Sequence, residues 1–181
     1  MEIFETMIDG VKVLKPKVFD DPRGYFFEAY SEQRYREAGV DCQFVQDNES
    51  MSMRGVLRGL HYQAAPHAQA KLIRVVRGAV LDVAVDVRKG SPTFGKYVAV
   101  ELSERNKQQM FIPHGFAHGF LVLEDYTVFS YKCDAYYSPA CERGLRWDDP
   151  AIAIPWPKLD VPFILSEKDK KQPFLSEIEP F

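Results

Sequence analysis

The sequence predicts an all-β sandwich or barrel with a few short helices. Three observations carry this reading. Short strand-like segments recur through the middle of the 181-residue chain. Turn signals such as "RKGSP" and "IPHG" separate them. Only one stretch reads as a helix, and regular short strands joined by turns are the mark of a sandwich or barrel.

Taken in order, "SEQRYREAG" is the helix, with Ser31 as N-cap and Gly39 just past its end. "KLIRVV" follows as a strand. "AVLDVAVDV" alternates: Ala79, Leu81, Val83, Val85 and Val87 on one face, Val80, Asp82, Ala84 and Asp86 on the other. "YVAVEL", "QQMFI", "FAHGFLVL" and "TVFSYKCD" are further strands. The tail from about residue 143, rich in proline and aromatics, is expected to wrap the strands in loops and short helical turns. No linker, repeat or low-complexity segment appears, so residues 1–181 are expected to form one domain.

Bulk properties narrow the function. A net charge of −3 argues against non-specific nucleic-acid binding. No long apolar span predicts a transmembrane helix. The opening "MEIFETMIDG" is acidic and lacks an apolar stretch, which argues against a signal peptide. Cys42, Cys133 and Cys141 are odd in number and show no CxxC spacing, which fits a reducing cytoplasm.

The candidate chemistry centres on "RGVLRGLHYQ", where His61 ends a short apolar run. Period-two counting puts Phe116, His118, Phe120 and Val122 on one face, and Phe129, Tyr131 and Cys133 on another. A face carrying His, Tyr and Phe suits a ligand cavity better than a dry core. Arg58 and His61 fall on opposite faces of a regular strand, so a bulge at Gly59 is expected if both reach one site.

"PHGFAH" resembles the second half of the cupin signature, P-x-G-x-x-H, as Pro113, Gly115 and His118. The metal-binding first half is broken. Gln63 replaces the second histidine of H-x-H, and Lys71 stands where the carboxylate would be. A charged ammonium offers no lone pair and repels a dication, so no metal is expected. Arg23, Arg58 and Lys71 suit an anionic ligand instead, the arginines by bidentate contact with phosphate. Tyr137 can stack on a planar base or simply pack.

Seven motifs then converge. "DPRGYFFEAY", "FVQDNES", "GVLRGLHYQ", the run from "AKLIRVVRGAV" to "GSPTFGKY", "FIPHGFAHGFLVL", "YKCDAYYSPACERGLRWDDP" and "LSEKD" occur in order and cover nearly the whole chain. Together they resemble the dTDP-4-dehydrorhamnose 3,5-epimerases. The resemblance implies a metal-free, cofactor-free cupin-type jelly roll. It implies a homodimer that exchanges N-terminal segments and takes a dTDP-sugar as substrate. The implied reaction inverts C3 and C5 of dTDP-4-dehydro-6-deoxy-D-glucose through enolates. A single-position epimerase or a ketoisomerase of another deoxysugar pathway is the alternative, and the downstream use, cell-envelope polysaccharide or secondary metabolite, stays open.

The resemblance also implies roles. His61 is the base, Asp169 its carboxylate partner, Tyr131 the acid and Lys71 the enolate stabiliser. Arg23, Phe26 and Glu28 match substrate-contacting positions, and Gln46, Asp47 and Asn48 match the nucleotide-contacting stretch. Arg58 matches a pyrophosphate or sugar contact, His118 a sugar contact and Tyr137 the thymine-stacking tyrosine. Glu142 and Lys168 match further substrate contacts. Asp82 takes no role: orienting His118 and a solvated or salt-bridged state are equally open.

Overall fold

The computed structural model describes all of residues 1–181. Its strands are β1 (Glu2–Glu5), β2 (Lys12–Lys15), β3 (Val18–Asp21), β4 (Gly24–Phe27), β5 (Gln46–Ser52), β6 (Leu57–Gln63), β7 (Lys71–Arg77), β8 (Ala79–Asp86), β9 (Tyr97–Ser103), β10 (Gln109–Ile112), β11 (Phe116–Val122), β12 (Thr127–Cys133) and β13 (Glu142–Gly144). They form a six-stranded sheet, β1-β2-β10-β7-β12-β5, and a five-stranded sheet, β13-β6-β11-β8-β9. Strands β3 and β4 form a separate hairpin. The pairings are antiparallel. The fold is the all-β, cupin-type sandwich expected from the sequence.

Three apolar layers follow from strand alternation. The inner layer joins the sheets through Ile73, Val75, Met110, Ile112 and Phe129 on one side and Val80, Ala84, Phe116, Phe120 and Val122 on the other. A second layer lies outside the five-stranded sheet, where Val83, Val85 and Val87 pack under Leu145, Ile152, Trp156 and Leu175 of the tail. A third lies outside the six-stranded sheet, under Tyr35 and Ala38.

The strand over 79–87 shows why periodicity alone cannot orient a sheet. Its more apolar row faces the tail, while the row with Asp82 faces the sandwich interior. Both faces are covered, so both read as apolar. Strands β1 to β5 are short or polar and escape the alternation test. In β5, Asn48 and Ser50 line a cavity and Asp47 faces outward, so neither row is apolar.

Helix α1 (Glu32–Glu37) lies where expected, with Gly39 at φ +82 just beyond it. Ser31 occupies the N-cap, but its side chain makes no capping bond. The tail forms β13 and a 3-10 turn at Asp169–Lys171 and is otherwise irregular. Asp149 pins it, accepting from the Ala151 and Leu175 amides at 2.8 and 2.6 Å.

Fully buried Asp86 fastens the β8–β9 turn, accepting from Arg88, Ser91 and Thr93. Burial alone would raise its pKa, but these hydrogen bonds outweigh it and bring the carboxyl down to about 2. A depressed carboxylate stabilises the fold above its unfolded pKa, and the gain is lost as pH falls through the folded value. Asp86→Asn should therefore cost about 2 kcal/mol at neutral pH. The gap to wild type, read by urea denaturation at pH 7, 4 and 3, should shrink towards acid.

Candidate active site

A cavity of about 660 Å³ opens between the sheets. Asn48 and Ser50 come from β5, Arg58 and His61 from β6, Lys71 from β7, His118 from β11 and Tyr131 from β12. Ser166, Lys168 and Asp169 of the tail form one wall. The tail is held there by backbone bonds in both directions between Ile164 and the Gly55–Leu57 segment. Residues far apart in sequence thus meet because strand order and the returning tail bring them together.

His61 and Asp169 form a tight pair, with Nε2 2.6 Å from Oδ1. Asp169 is buried and His61 is partly open to the cavity. Burial would raise the Asp169 pKa, but bonds from His61, Ser166 and the Gly59 amide outweigh it and hold the carboxyl below its usual value. An ionised Asp169 accepts a proton bond from Nε2–H of the neutral ring, which leaves Nδ1 as the nitrogen that can take a proton.

The expected bulge is present. His118 pairs with His61 and Phe120 with Arg58, so β6 carries one extra residue there. Gly59 has φ +120, and a Cβ on it would lie 2.5 Å from the Gly119 Cα. The extra residue turns both Arg58 and His61 towards the cavity. Arg58 is steadied by Ser52, whose hydroxyl accepts from Nε and an NH2 group at 3.3 and 3.1 Å.

His118 lies across the strand pair from His61 and bonds Asp82, Nε2 to Oδ1, at 2.7 Å. Burial lowers the His118 pKa, with Asp82 opposing and Lys71 and His61 adding to the fall. Its ring stacks on Phe129 at 6.1 Å, and Phe129 stacks on Phe120. Burial also lowers the pKa of Lys71, against the pull of Cys133, Asp82 and Glu142. The Lys71 ammonium lies 5.9 Å from the centre of the Tyr131 ring. Burial raises the Tyr131 pKa, Cys133 adds to the rise and Arg58 opposes it. No three His, Cys, Asp or Glu side chains group together in a way that would hold a metal.

At one rim, Tyr137 donates to Glu142 Oε2 at 2.8 Å, and Glu142 pairs with Lys168. Gln46 sits beside them, accepting from the Tyr137 amide and donating to Asn48. Asp47 does not join the site. Alternation along β5 sends it to the opposite face, where it pairs with Lys132 at 2.9 Å. Arg23, Phe26 and Glu28 also lie outside this chain's own cavity. They belong to the β3–β4 hairpin and the segment after it. Arg23 pairs with Asp21 at 2.6 Å, Glu28 pairs with Arg34 at 3.3 Å, and Phe26 is 69% exposed.

The family model for dTDP-4-dehydrorhamnose 3,5-epimerase matches residues 5–177. The chain belongs to this family. A dTDP-4-dehydrorhamnose 3,5-epimerase from Sinorhizobium fredii is 54% identical over 172 residues, 94% of this chain and 88% of the relative. That of Salmonella typhimurium is 51% identical over 178 residues, covering 98% and 97%. A Legionella pneumophila epimerase crystallised with dTDP-4-keto-L-rhamnose superposes with a TM-score of 0.94. It is 49% identical and covers 98% of this chain and 94% of its own.

Two residues at this epimerase-family site, Ser52 and Ser166, escape the sequence reading. Ser52 and Ser166 are ordinary serines until Arg58 and Asp169 lie beside them. The spacing of Ser166, three residues before Asp169, is the one local signal, because its hydroxyl accepts from the Asp169 amide. Asp82 stood open between two readings, and the bond to His118 decides for the first.

Two substitutions test the geometry. Gly59→Ala must fit a Cβ into backbone at positive φ and should cost about 2–4 kcal/mol. Urea denaturation measures the cost, and turnover should fall with it. Asp169→Asn keeps an acceptor for Nε2–H but removes the charge that stabilises the imidazolium. Steady-state kinetics should show kcat reduced about 10²–10⁴-fold, with dTDP affinity nearly unchanged.

Proposed function

We propose that this protein inverts C3 and C5 of dTDP-4-dehydro-6-deoxy-D-glucose to give dTDP-4-dehydro-L-rhamnose. The observation that carries this reading is the carboxylate-backed His61 facing a cavity that also holds Lys71 and Tyr131. The C4 ketone acidifies the protons on C3 and C5. His61, with Asp169 behind it, removes one of them, and the electron pair moves onto the C4 oxygen. Lys71 offsets the charge that develops there. Tyr131 returns a proton to the opposite face and recovers its own from water, which inverts the carbon.

Arg58 holds the diphosphate and His118 contacts the sugar. Tyr137, in the network with Glu142 and Lys168, stacks on the thymine, and Gln46 and Asn48 contact the nucleotide. The reaction balances without an oxidant or reductant, since one proton leaves and one returns at each carbon. The residues themselves supply base, acid and cation, so no metal or cofactor enters this reading.

The active form in this reading is a homodimer of single-domain chains that exchange N-terminal segments. Phe19, Tyr25 and Phe26 of the β3–β4 hairpin are all more than half exposed, which supports cover by a partner. Arg23, Phe26 and Glu28 then complete the partner's cavity. The three cysteines are free, which supports a reducing, cytoplasmic setting. No helix is long and apolar enough to cross a membrane.

Incubation with the substrate in deuterium oxide tests the chemistry by mass and NMR spectra. Deuterium at both C3 and C5 is the expected outcome. Label at one carbon would make this a single-position epimerase, and no label would overturn the enolate route. Tyr131→Phe should still exchange the C3 proton but lose net inversion at one or both carbons, and His61→Asn should abolish exchange while still binding dTDP.

A further inference from the structure

Tyr137 sits on a loop whose backbone is fastened residue by residue. The Ala135 carbonyl accepts from Gln69 Nε2 at 2.8 Å. The Tyr136 carbonyl accepts from Gln63 Nε2 at 3.2 Å. The Tyr137 amide donates to Gln46 Oε1 at 3.0 Å. The Ser138 amide donates to Gln63 Oε1 at 2.7 Å. Four consecutive residues are therefore held by three glutamine side chains.

Gln63 makes two of these four bonds, one from each end of its amide. In extended backbone, the carbonyl before a residue and the amide after it point to one edge, and the residue's own amide points to the other. Gln63 thus pairs with the loop on one edge as a neighbouring strand would. Gln46 takes the opposite edge. The second Nε2 proton of Gln63 goes to the His67 carbonyl at 2.5 Å, which ties the preceding loop to the same amide. Gln63 is only 4% exposed, and all of these partners are backbone groups. The two clamping glutamines come from different sheets, Gln63 from β6 and Gln46 from β5.

Gln63 does not line the cavity, and the epimerisation chemistry makes no use of it. It stands two residues from His61, where a metal cupin of H-x-H pattern carries its second ligand. A histidine ring could not accept from Ser138 and donate to Tyr136 and His67 together, because it has two nitrogens and no third polar site. An amide can.

We infer that Gln63 is a positioning residue that sets the Tyr137 loop between the two sheets and thereby fixes the nucleotide-base end of the substrate. This deepens the proposed function and rests on the reading of Tyr137 as the stacking residue. Loosening the loop loses preorganised stacking and leaves His61, Lys71 and Tyr131 in place. The loss should therefore fall on binding and spare the chemical step.

The test measures dTDP affinity by calorimetry, together with KM, kcat and melting temperature, for Gln63→Leu, Tyr137→Ala and the double variant. Gln63→Leu should weaken dTDP binding and raise KM about tenfold, with kcat at saturation within about twofold of wild type. The double variant should bind dTDP no worse than Tyr137→Ala alone, since the clamp acts through Tyr137. Losses that multiply in the double variant would overturn the inference. So would unchanged dTDP binding in Gln63→Leu beside a weakened Tyr137→Ala. Unchanged binding in Tyr137→Ala itself would instead overturn the stacking role on which the inference rests. Should Gln63→Leu fold poorly, Gln63→Glu keeps the acceptor for Ser138, loses both donors and is judged by the same measurements.

Discussion

The site depends on one backbone contact, the passage of Gly59 against Gly119. No side chain fits between them, since a Cβ on Gly119 would lie 2.6 Å from the Arg58 carbonyl oxygen. The close approach accommodates an extra residue in β6, and that residue has two consequences. It turns Arg58 and His61 to the same side, where a regular strand would separate them. It also leaves the Gly59 amide near enough to the Asp169 carboxylate to favour its charge. A backbone irregularity thus brings Arg58 and His61, three residues apart, to the side where the returning tail sets Asp169.

Around that point the cavity is organised by pairs. Each histidine is backed by its own carboxylate, His61 by Asp169 and His118 by Asp82, and the two rings are cross-strand neighbours. Burial and the two nearby basic groups disfavour a charge on His118. Asp82 Oδ1 fixes the ring, while its buried Oδ2 has no partner. Lys71 stands between these groups with its charge disfavoured by burial and favoured by Cys133, Asp82 and Glu142. Any charge at Lys71 acts strongly there because little water screens the sandwich interior. Arg58 and Asp169 are each steadied by a neighbouring serine, Ser52 and Ser166.

Much of the fold was legible where strands alternate cleanly, as in β7 to β12. The short N-terminal strands and polar β5 were not, because alternation reads apolar rows and β5 turns polar groups to the cavity on one side and outward on the other. The interior face of β8 was ambiguous for the opposite reason: the tail covers its outer face with Leu145, Ile152 and Trp156, so both rows are apolar. At the site, His61, His118, Arg58 and Tyr131 stood out as polar groups in apolar runs. Asp169 did not, since nothing local distinguishes it from a solvated tail charge and only the family motif pointed to it. Asp47 shows the converse: a motif covers a stretch, but alternation hands its middle residue to the other face.

The sequence by itself determined the all-β class, the bulge at Gly59 that a shared site for Arg58 and His61 requires, and the loss of a metal-ligand set at Gln63 and Lys71. These follow from residue type and period, which are local properties. Tertiary structure supplied the contact of His61 with a carboxylate over a hundred positions away, which no local property marks and only the family motif indicated, and it alone decided the pairing of His118 with Asp82. It alone showed that Gln63, marked in the sequence only as a missing ligand, fastens the loop that carries Tyr137. Those are contacts between elements joined by sheet order and by a returning tail. No local rule reports which buried amide or carboxylate a distant backbone will meet.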